Sequence, residues 1–183
     1  PLPDLLAQLT DDSSSSVTIS PGWAQGRAVY GGLAAAIALV GMEKLVGGAA
    51  PLRSLMTSFV APMPEDKVTA QARIMRRGRA VTQASVDVMA GDQVTVHASA
   101  AFGGAREGLA VAPDAKFNAA PRDSVPPMDS VRARMPGFLE RFDIRWTGGG
   151  IPLSGSKDRT AGMWVRHKEN MDAFPAAKIV AIA

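Results

Sequence analysis

The stretch "VYGGLAAAIALVGMEKLVGG", residues 29–48, decides how the rest of the chain is read. From Leu33 to Gly41 it carries no charged or polar side chain. A helix apolar all round has to be buried all round. It opens on Gly31 and Gly32, residues that are poor helix formers. Gly47 and Gly48 stand where a helix stops. Something other than helix propensity must account for the two glycines at the start.

On the N-terminal side, "DLLAQLT" reads as a short amphipathic helix and "DDSSSS" as a polar turn. "SVTISPGWAQGR" is a short strand running into a Pro-Gly loop. On the C-terminal side come four strands. They are Leu52–Val60, Lys67–Met75, Ala80–Met89 and Gln93–Phe102. Val68, Ala70, Ala72 and Ile74 alternate with polar neighbours, as do Val94, Val96, Ala98 and Ala100. Period-two patterning of this length marks long antiparallel strands with one buried face. "RRGR" and "AGD" between them are hairpin breaks. A sheet with one apolar face needs a cover, and an apolar helix needs a wrapping. One curved sheet folded around one helix satisfies both, which makes the fold class α+β.

Residues 106–136 are punctuated by Pro113, Pro121, Pro126, Pro127 and Pro136 and show little periodicity, as a linker crossing a surface would. Strand patterns restart at Arg141–Gly148 and Thr160–Glu169, and "PAAKIVAIA" at 175–183 begins an apolar helix with Pro in its first turn. The expected organisation is a first domain over 1–105, a linker over 106–136, and the start of a second domain over 137–183. A longer parent protein is expected, since the second helix has barely begun where the sequence stops.

Composition bounds the function. The chain has 183 residues, 46% hydrophobic and 20% charged, with a formal net charge of +3. Apart from Arg73, Arg76, Arg77 and Arg79 the basic residues are scattered, and only three Trp, one Tyr and six Phe are available for stacking. That is no nucleic-acid platform. With no cysteine, disulfides, thiolate catalysis and Cys-based metal sites are excluded; no metal or cofactor is expected. No signal peptide is evident, and the longest apolar run is far short of the roughly 20 residues that a membrane span needs. A cytoplasmic location is expected.

"QGRAVYGGLAAAIAL" followed by "FVAPMPEDKVTAQARIMRRGRAVTQASVDVMAGDQVTVHASAAFGG" resembles the N-terminal hotdog of acyl-CoA thioesterase II-type proteins. The shared elements are a V-[YF]-G-G helix start, a strand ending in F-x-x-P, an R-x-G-[RN] hairpin and a last strand ending in A-[SA]-F. They occur in order over residues 22–104. The resemblance implies a hotdog fold, with the chain forming one complete hotdog and part of a second. It also implies hydrolysis of an acyl-CoA thioester to a free acid and CoA. Acyl-CoA is the expected partner, and a homo-oligomer the expected assembly.

The resemblance gives the two glycines a use. The first N–H groups of a helix have no intrahelical partner and sit at the positive end of its dipole. Glycine lets a substrate approach them closely. Gly31 and Gly32 are therefore candidate oxyanion donors, the alternative being that small residues merely let the helix start pack. Trp23, Tyr30, Trp146 and Trp164 can line an acyl or pantetheine channel or serve as core. Arg76, Arg77 and Arg79 can hold CoA phosphates or form a solvated turn. Thr82 and Gln83 follow that turn, and only one of them can face a pocket. The nine Met residues suit a deformable pocket or plain core filling.

A base is harder to find. Glu43 is the one acid of the central helix and lies near its far end. His97 and Asp87 fall on the polar phases of their strands, and His167, between Arg166 and Lys168, reads as exposed. The family's Asp, Thr and Gln set belongs to its second hotdog. Carried to the first, the Thr position falls near Leu52 and the Gln position near Ala101, neither of which can do that chemistry. The catalytic set is expected beyond Ala183. A non-catalytic acyl-CoA-binding hotdog is the nearest alternative, and a hotdog hydratase or dehydratase a more distant one.

Overall fold

The computed structural model describes residues 1–47, 50–108, 118–128, 136–150 and 154–183. Among them, the chain divides into two compact units. One is Pro1–Ala105 with Pro136–Phe138 and Glu169–Ala183; the other is Arg106–Met135 with Leu139–Lys168.

The first unit is built on the helix that the sequence singled out. After a short helix, α1 (Leu2–Leu6), come β1 (Ser14–Thr18) and a two-stranded ribbon, β2 (Ala24–Gln25) with β3 (Ala28–Val29). Then α2 runs over Gly31–Val46, with twelve of its residues buried. Four long strands follow: β4 (Leu52–Phe59), β5 (Lys67–Arg77), β6 (Val81–Ala90) and β7 (Gln93–Gly103). They join β1 in a five-stranded antiparallel sheet of order β1-β5-β6-β7-β4. All four expected strands are present, with ends shifted by up to two residues.

The sheet wraps α2 because the residue sizes allow close approach. Ala34, Ala36, Ala38, Leu33, Ile37 and Leu39 are all essentially inaccessible. From the sheet, Ala70, Ala84, Val86, Val88, Val96, Ala98 and Phe102 meet them. A Cβ placed on Gly41 would stand 3.2 Å from that of Ala70, so helix and strand are nearly in backbone contact. Each large aliphatic side chain buried here contributes about 1.5–3 kcal/mol. The helix ends at Gly47, whose φ of 88° is left-handed, and its N–H bonds back to Glu43 and Lys44 carbonyls. Gly48 lies outside the described residues. This helix within an antiparallel sheet is a hotdog fold.

The last helix, α3 (Pro175–Val180), also belongs to the first unit and packs on α2. The N–H of Leu2 donates to Glu169 Oε2 at 2.6 Å, tying the two ends of the chain within this unit. None of the described helices is long and apolar enough to cross a membrane.

The second unit is a hairpin, β8 (Phe142–Gly149) with β9 (Ala161–His167), and a proline-rich segment bonded to it. Met128 N–H donates to the Ile144 carbonyl at 2.9 Å, and the Trp164 indole donates to the Ala120 carbonyl at 3.0 Å. Arg145 donates to the Val125 carbonyl at 2.8 Å. So the segment 120–128 is pinned to the hairpin by named bonds. Asp143 gathers Arg122, Arg145 and Arg166 around one carboxylate. Burial pushes its pKa up, but hydrogen bonds and charge from Arg122 and Arg145 outweigh that and hold it below the ordinary carboxylate value. The reading of His167 as exposed is overturned. It is 7% exposed and its ring packs on Phe142, 5.0 Å between centroids. Its charged neighbours at 166 and 168 point to the opposite face, which leaves the histidine itself inward.

Candidate active site

The start of α2 is held from three directions. Tyr30 is its N-cap, and the Tyr30 N–H donates to the Trp23 carbonyl at 2.8 Å. Val29 N–H donates to the Met63 carbonyl at 2.8 Å, and Trp23 N–H donates to the Glu65 carboxylate. The loop after β4 thus clamps the β2–β3 ribbon and, through it, the entry of the helix. Trp23 is 1% exposed and is part of this clamp. The Tyr30 ring stacks on Phe138 with centroids 3.9 Å apart, and burial raises its phenol pKa.

No side chain caps the helix at Tyr30, and no acidic residue sits in the first turn. The first intrahelical bond is Ala34 N–H to the Tyr30 carbonyl at 3.2 Å. The N–H groups of Gly31, Gly32 and Leu33 lie ahead of it, where the helix offers no acceptor. Beside them opens a cavity of about 380 Å³, lined by Val29, Gly31, Ala34, Phe59, Met63 and Val96 among others. Among the described residues Gln25 is its only polar side chain. An apolar hollow with few polar groups is the usual form of a small-molecule site.

The two glycines have different surroundings. A Cβ on Gly31 would come within 3.2 Å of the Phe59 ring, the end of an exposed side chain. A Cβ on Gly32 would come within 2.5 Å of the Tyr30 ring and 2.7 Å of the Ala181 carbonyl oxygen. Gly32 is therefore required by packing in its own right, whatever its amide does. Gly31 faces the cavity.

The remaining candidates fall elsewhere. Thr82 is buried, on the same phase of β6 as Ala84, Val86 and Val88, while Gln83 faces out. Arg76 and Arg79 are exposed near the β5–β6 turn. Arg77 there donates to the Val46 carbonyl at 3.4 Å, at the C-terminal end of α2. α2 has 16 residues, about 24 Å of rise, so that turn and the Gly31 cavity are at opposite ends of the helix. Leu52 and Phe102, neighbour of Ala101, line a second hollow of about 960 Å³ at the Arg77 end, together with Glu43, whose pKa burial raises. Trp146 and Trp164 belong to the second unit, each indole donating to a nearby carbonyl.

His97 and Asp87 are partners across β6 and β7, Nδ1 to Oδ1 at 2.6 Å, with Arg73 4.0 Å from the other carboxylate oxygen. Ser58 stands opposite His97 on β4, completing a row of Ser, His and Asp across three strands. No hydrogen bond joins Ser58 to His97 among the described residues, and neither hollow described above includes the row. It reads as a structural pairing on the outer face.

Sequence reasoning gave Phe59, Met63, Gln25 and Phe138 no role. The F-x-x-P element contains Phe59, so a signal existed for it. Phe138 reaches Tyr30 over a separation of more than a hundred residues and leaves no periodic trace.

Residues 19–103 match the sequence model of the acyl-CoA thioesterase N-terminal domain. Among solved structures, a conserved hotdog-fold protein of unknown function from Alicyclobacillus acidocaldarius superposes with a TM-score of 0.85 at 19% identity, covering 99% of this chain and 67% of its own. The acyl-CoA thioesterase II TesB2 of Mycobacterium marinum gives 0.75 at 20% identity, covering 100% and 66%. The tesB protein of Mycobacterium avium subspecies paratuberculosis gives 0.71 at 19%, covering 100% and 69%. The chain thus spans about two thirds of the length of these proteins, and at such identities the likeness is one of fold. No curated protein matches significantly. Residues 19–103 thus have the sequence of an acyl-CoA thioesterase N-terminal domain in a hotdog fold.

Proposed function

We propose that the chain is the N-terminal part of an acyl-CoA thioesterase, which hydrolyses the thioester to a free acid and CoA. The observation that carries this reading is the uncapped first turn of α2 opening beside an apolar cavity. A thioester carbonyl set against the Gly31 amide would have its developing negative charge met by N–H groups and the positive end of the helix. Such a donor contributes about 3–4 kcal/mol to lowering the barrier. Water is the nucleophile, and the acid or base that activates it is supplied by chain following Ala183. This assignment is supported by Ala181, the residue that ends α3, whose carbonyl lies against Gly32. A continuation from α3 would start beside the first turn of α2. Arg76, Arg79 and Thr82 would meet a ligand anchored at Gly31 only at its far end.

A second reading, an acyl-CoA-binding module without turnover, is favoured by one observation. Glu43, the one acid on α2, sits at the opposite end of the helix from Gly31. Thiol release from a panel of acyl-CoAs, read with a thiol-reactive dye on the full-length protein, separates the two. These 183 residues contribute no cysteine thiol to the background. Release with saturation supports the hydrolase. Tight binding without release, on a full-length preparation, supports the binding module.

A further inference from the structure

The first turn of α2 lacks the usual means of holding itself. No side chain caps it, and its first two residues are Gly31 and Gly32. Glycine brings no side chain to fix its own peptide plane, so an amide aimed from such a turn has to be steadied from outside. The Tyr30 ring lies along Gly32, with its Cε1 and Cζ 2.5 and 2.7 Å from where a Gly32 Cβ would stand. That ring is covered in turn by Phe138, stacked 11° from parallel with centroids 3.9 Å apart. Phe138 is 4% exposed and is the buried residue of a short helical turn, Gly137–Arg141. Pro136–Phe138 group with the first unit, although the chain on both sides of them groups with the second. Of these three residues Phe138 is the buried one, and it lands on the N-cap residue of α2.

Resting on the reading of the chain as a thioesterase, we infer that Phe138 is a positioning residue for the reaction, keeping the first-turn amides of α2 on aim through the Tyr30 ring. The Tyr30 backbone is bonded at both ends, its N–H to the Trp23 carbonyl and its carbonyl to the Ala34 N–H. Those bonds fix where the helix begins. They do not fix the glycine peptides that follow; the ring steadies those, as long as Phe138 keeps it in place. With a non-aromatic side chain at 138 the flat contact is lost and the ring gains freedom to turn. The amides then lose their aim. An oxyanion donor misplaced by about 1 Å loses much of its effect on the barrier. Amides that act on the developing charge alone leave ground-state binding intact, so the loss falls on kcat and not on KM.

The test compares full-length wild type with Phe138→Leu and Phe138→Met. Both variants keep an apolar side chain in the buried place and remove only the flat ring, so both are expected to fold, which circular dichroism checks. Each should lower kcat for acyl-CoA hydrolysis by roughly tenfold with KM within about threefold of wild type. Phe138→Tyr, which keeps the ring, should restore kcat. In a Tyr30→Leu background the same replacements at 138 should cost no further kcat, because the ring they act through is gone. A readout besides activity comes from Tyr30, the one tyrosine of these 183 residues. Burial raises its phenol pKa, and ultraviolet titration against a Tyr30→Phe protein isolates its signal. Phe138→Leu should bring that pKa down toward the ordinary value of about 10. A phenol released in this way with kcat unchanged overturns the inference and leaves the thioesterase reading standing. So does a full further loss of kcat in the Tyr30→Leu background, which would make Phe138 a plain packing residue. Failure of the wild type to turn over any acyl-CoA removes the thioesterase reading and the inference with it, whatever the titration shows.

Discussion

Adjacent glycines at the start of α2 behave as different residues. Gly32 is pressed between the Tyr30 ring and a backbone carbonyl, that of Ala181. A carbonyl cannot rotate away as a side-chain end can. Gly32→Ala should therefore cost about 1–3 kcal/mol, visible as a lowered urea midpoint, and loosen α3. Gly31→Ala meets only an exposed ring, and its stability should stay within about 0.5 kcal/mol of wild type. A loss of thiol release in Gly31→Ala with the midpoint unchanged would then be chemistry and not folding. Equal midpoints for the two variants would contradict this account. Glu43 offers a test of opposite sign. Burial raises its pKa, so folding favours the protonated carboxyl and stability falls as pH rises through the folded pKa. Glu43→Gln should raise Tm at pH 7 by about 1–3 °C and flatten the dependence between mildly acidic and neutral pH. An unchanged profile would show that Glu43 is solvated.

At the scale of elements, the sheet was legible because its alternation is a local property. Val68, Ala70 and Ala72, or Val96, Ala98 and Ala100, declare their buried face to any reader who counts in twos. The buried helix was legible by composition alone. The walls of the cavity were not, since they join Gln25, Gly31, Phe59 and Val96 from four separate segments. The same period-two rule, applied at Arg166 and Lys168, would have turned His167 inward; charged flanks misled because they were read as neighbours instead of opposite faces. The C-terminal end of α2 illustrates a contact between elements that sequence alone does not offer. Arg77 on β5 reaches the Val46 carbonyl, placing a cation where the helix dipole is negative. Arg77→Gln should cost about 0.3–1 kcal/mol, less at high salt, as measured by thermal melts in low and high chloride. A cost that salt does not diminish would mean that packing, not charge, is lost.

Across the whole molecule the two compact units answer differently to acid. Asp143 holds three arginines, and its lowered pKa means that the stability it contributes is complete above the unfolded value of about 4. That contribution is lost as pH falls through the still lower folded value. Trp146 and Trp164 report on this unit and Trp23 on the other. Acid titration followed by fluorescence, with each Trp replaced by Phe in turn, should show the signals of Trp146 and Trp164 changing in that window. Asp143→Asn should abolish the acid-dependent step; its persistence would assign the step to another carboxylate. The strand order β1-β5-β6-β7-β4 has a consequence for time as well as for shape. The hairpins β5–β6 and β6–β7 close over short turns, whereas β1 and β4 join the sheet only after loops of dozens of residues have closed. Closing those loops costs entropy before any contact rewards it. The central meander should therefore be formed at the folding barrier and the edges after it. Val86→Ala should slow refolding, and Val17→Ala should mainly speed unfolding. A newly made chain would spend the interval with the two future edges of its sheet still open.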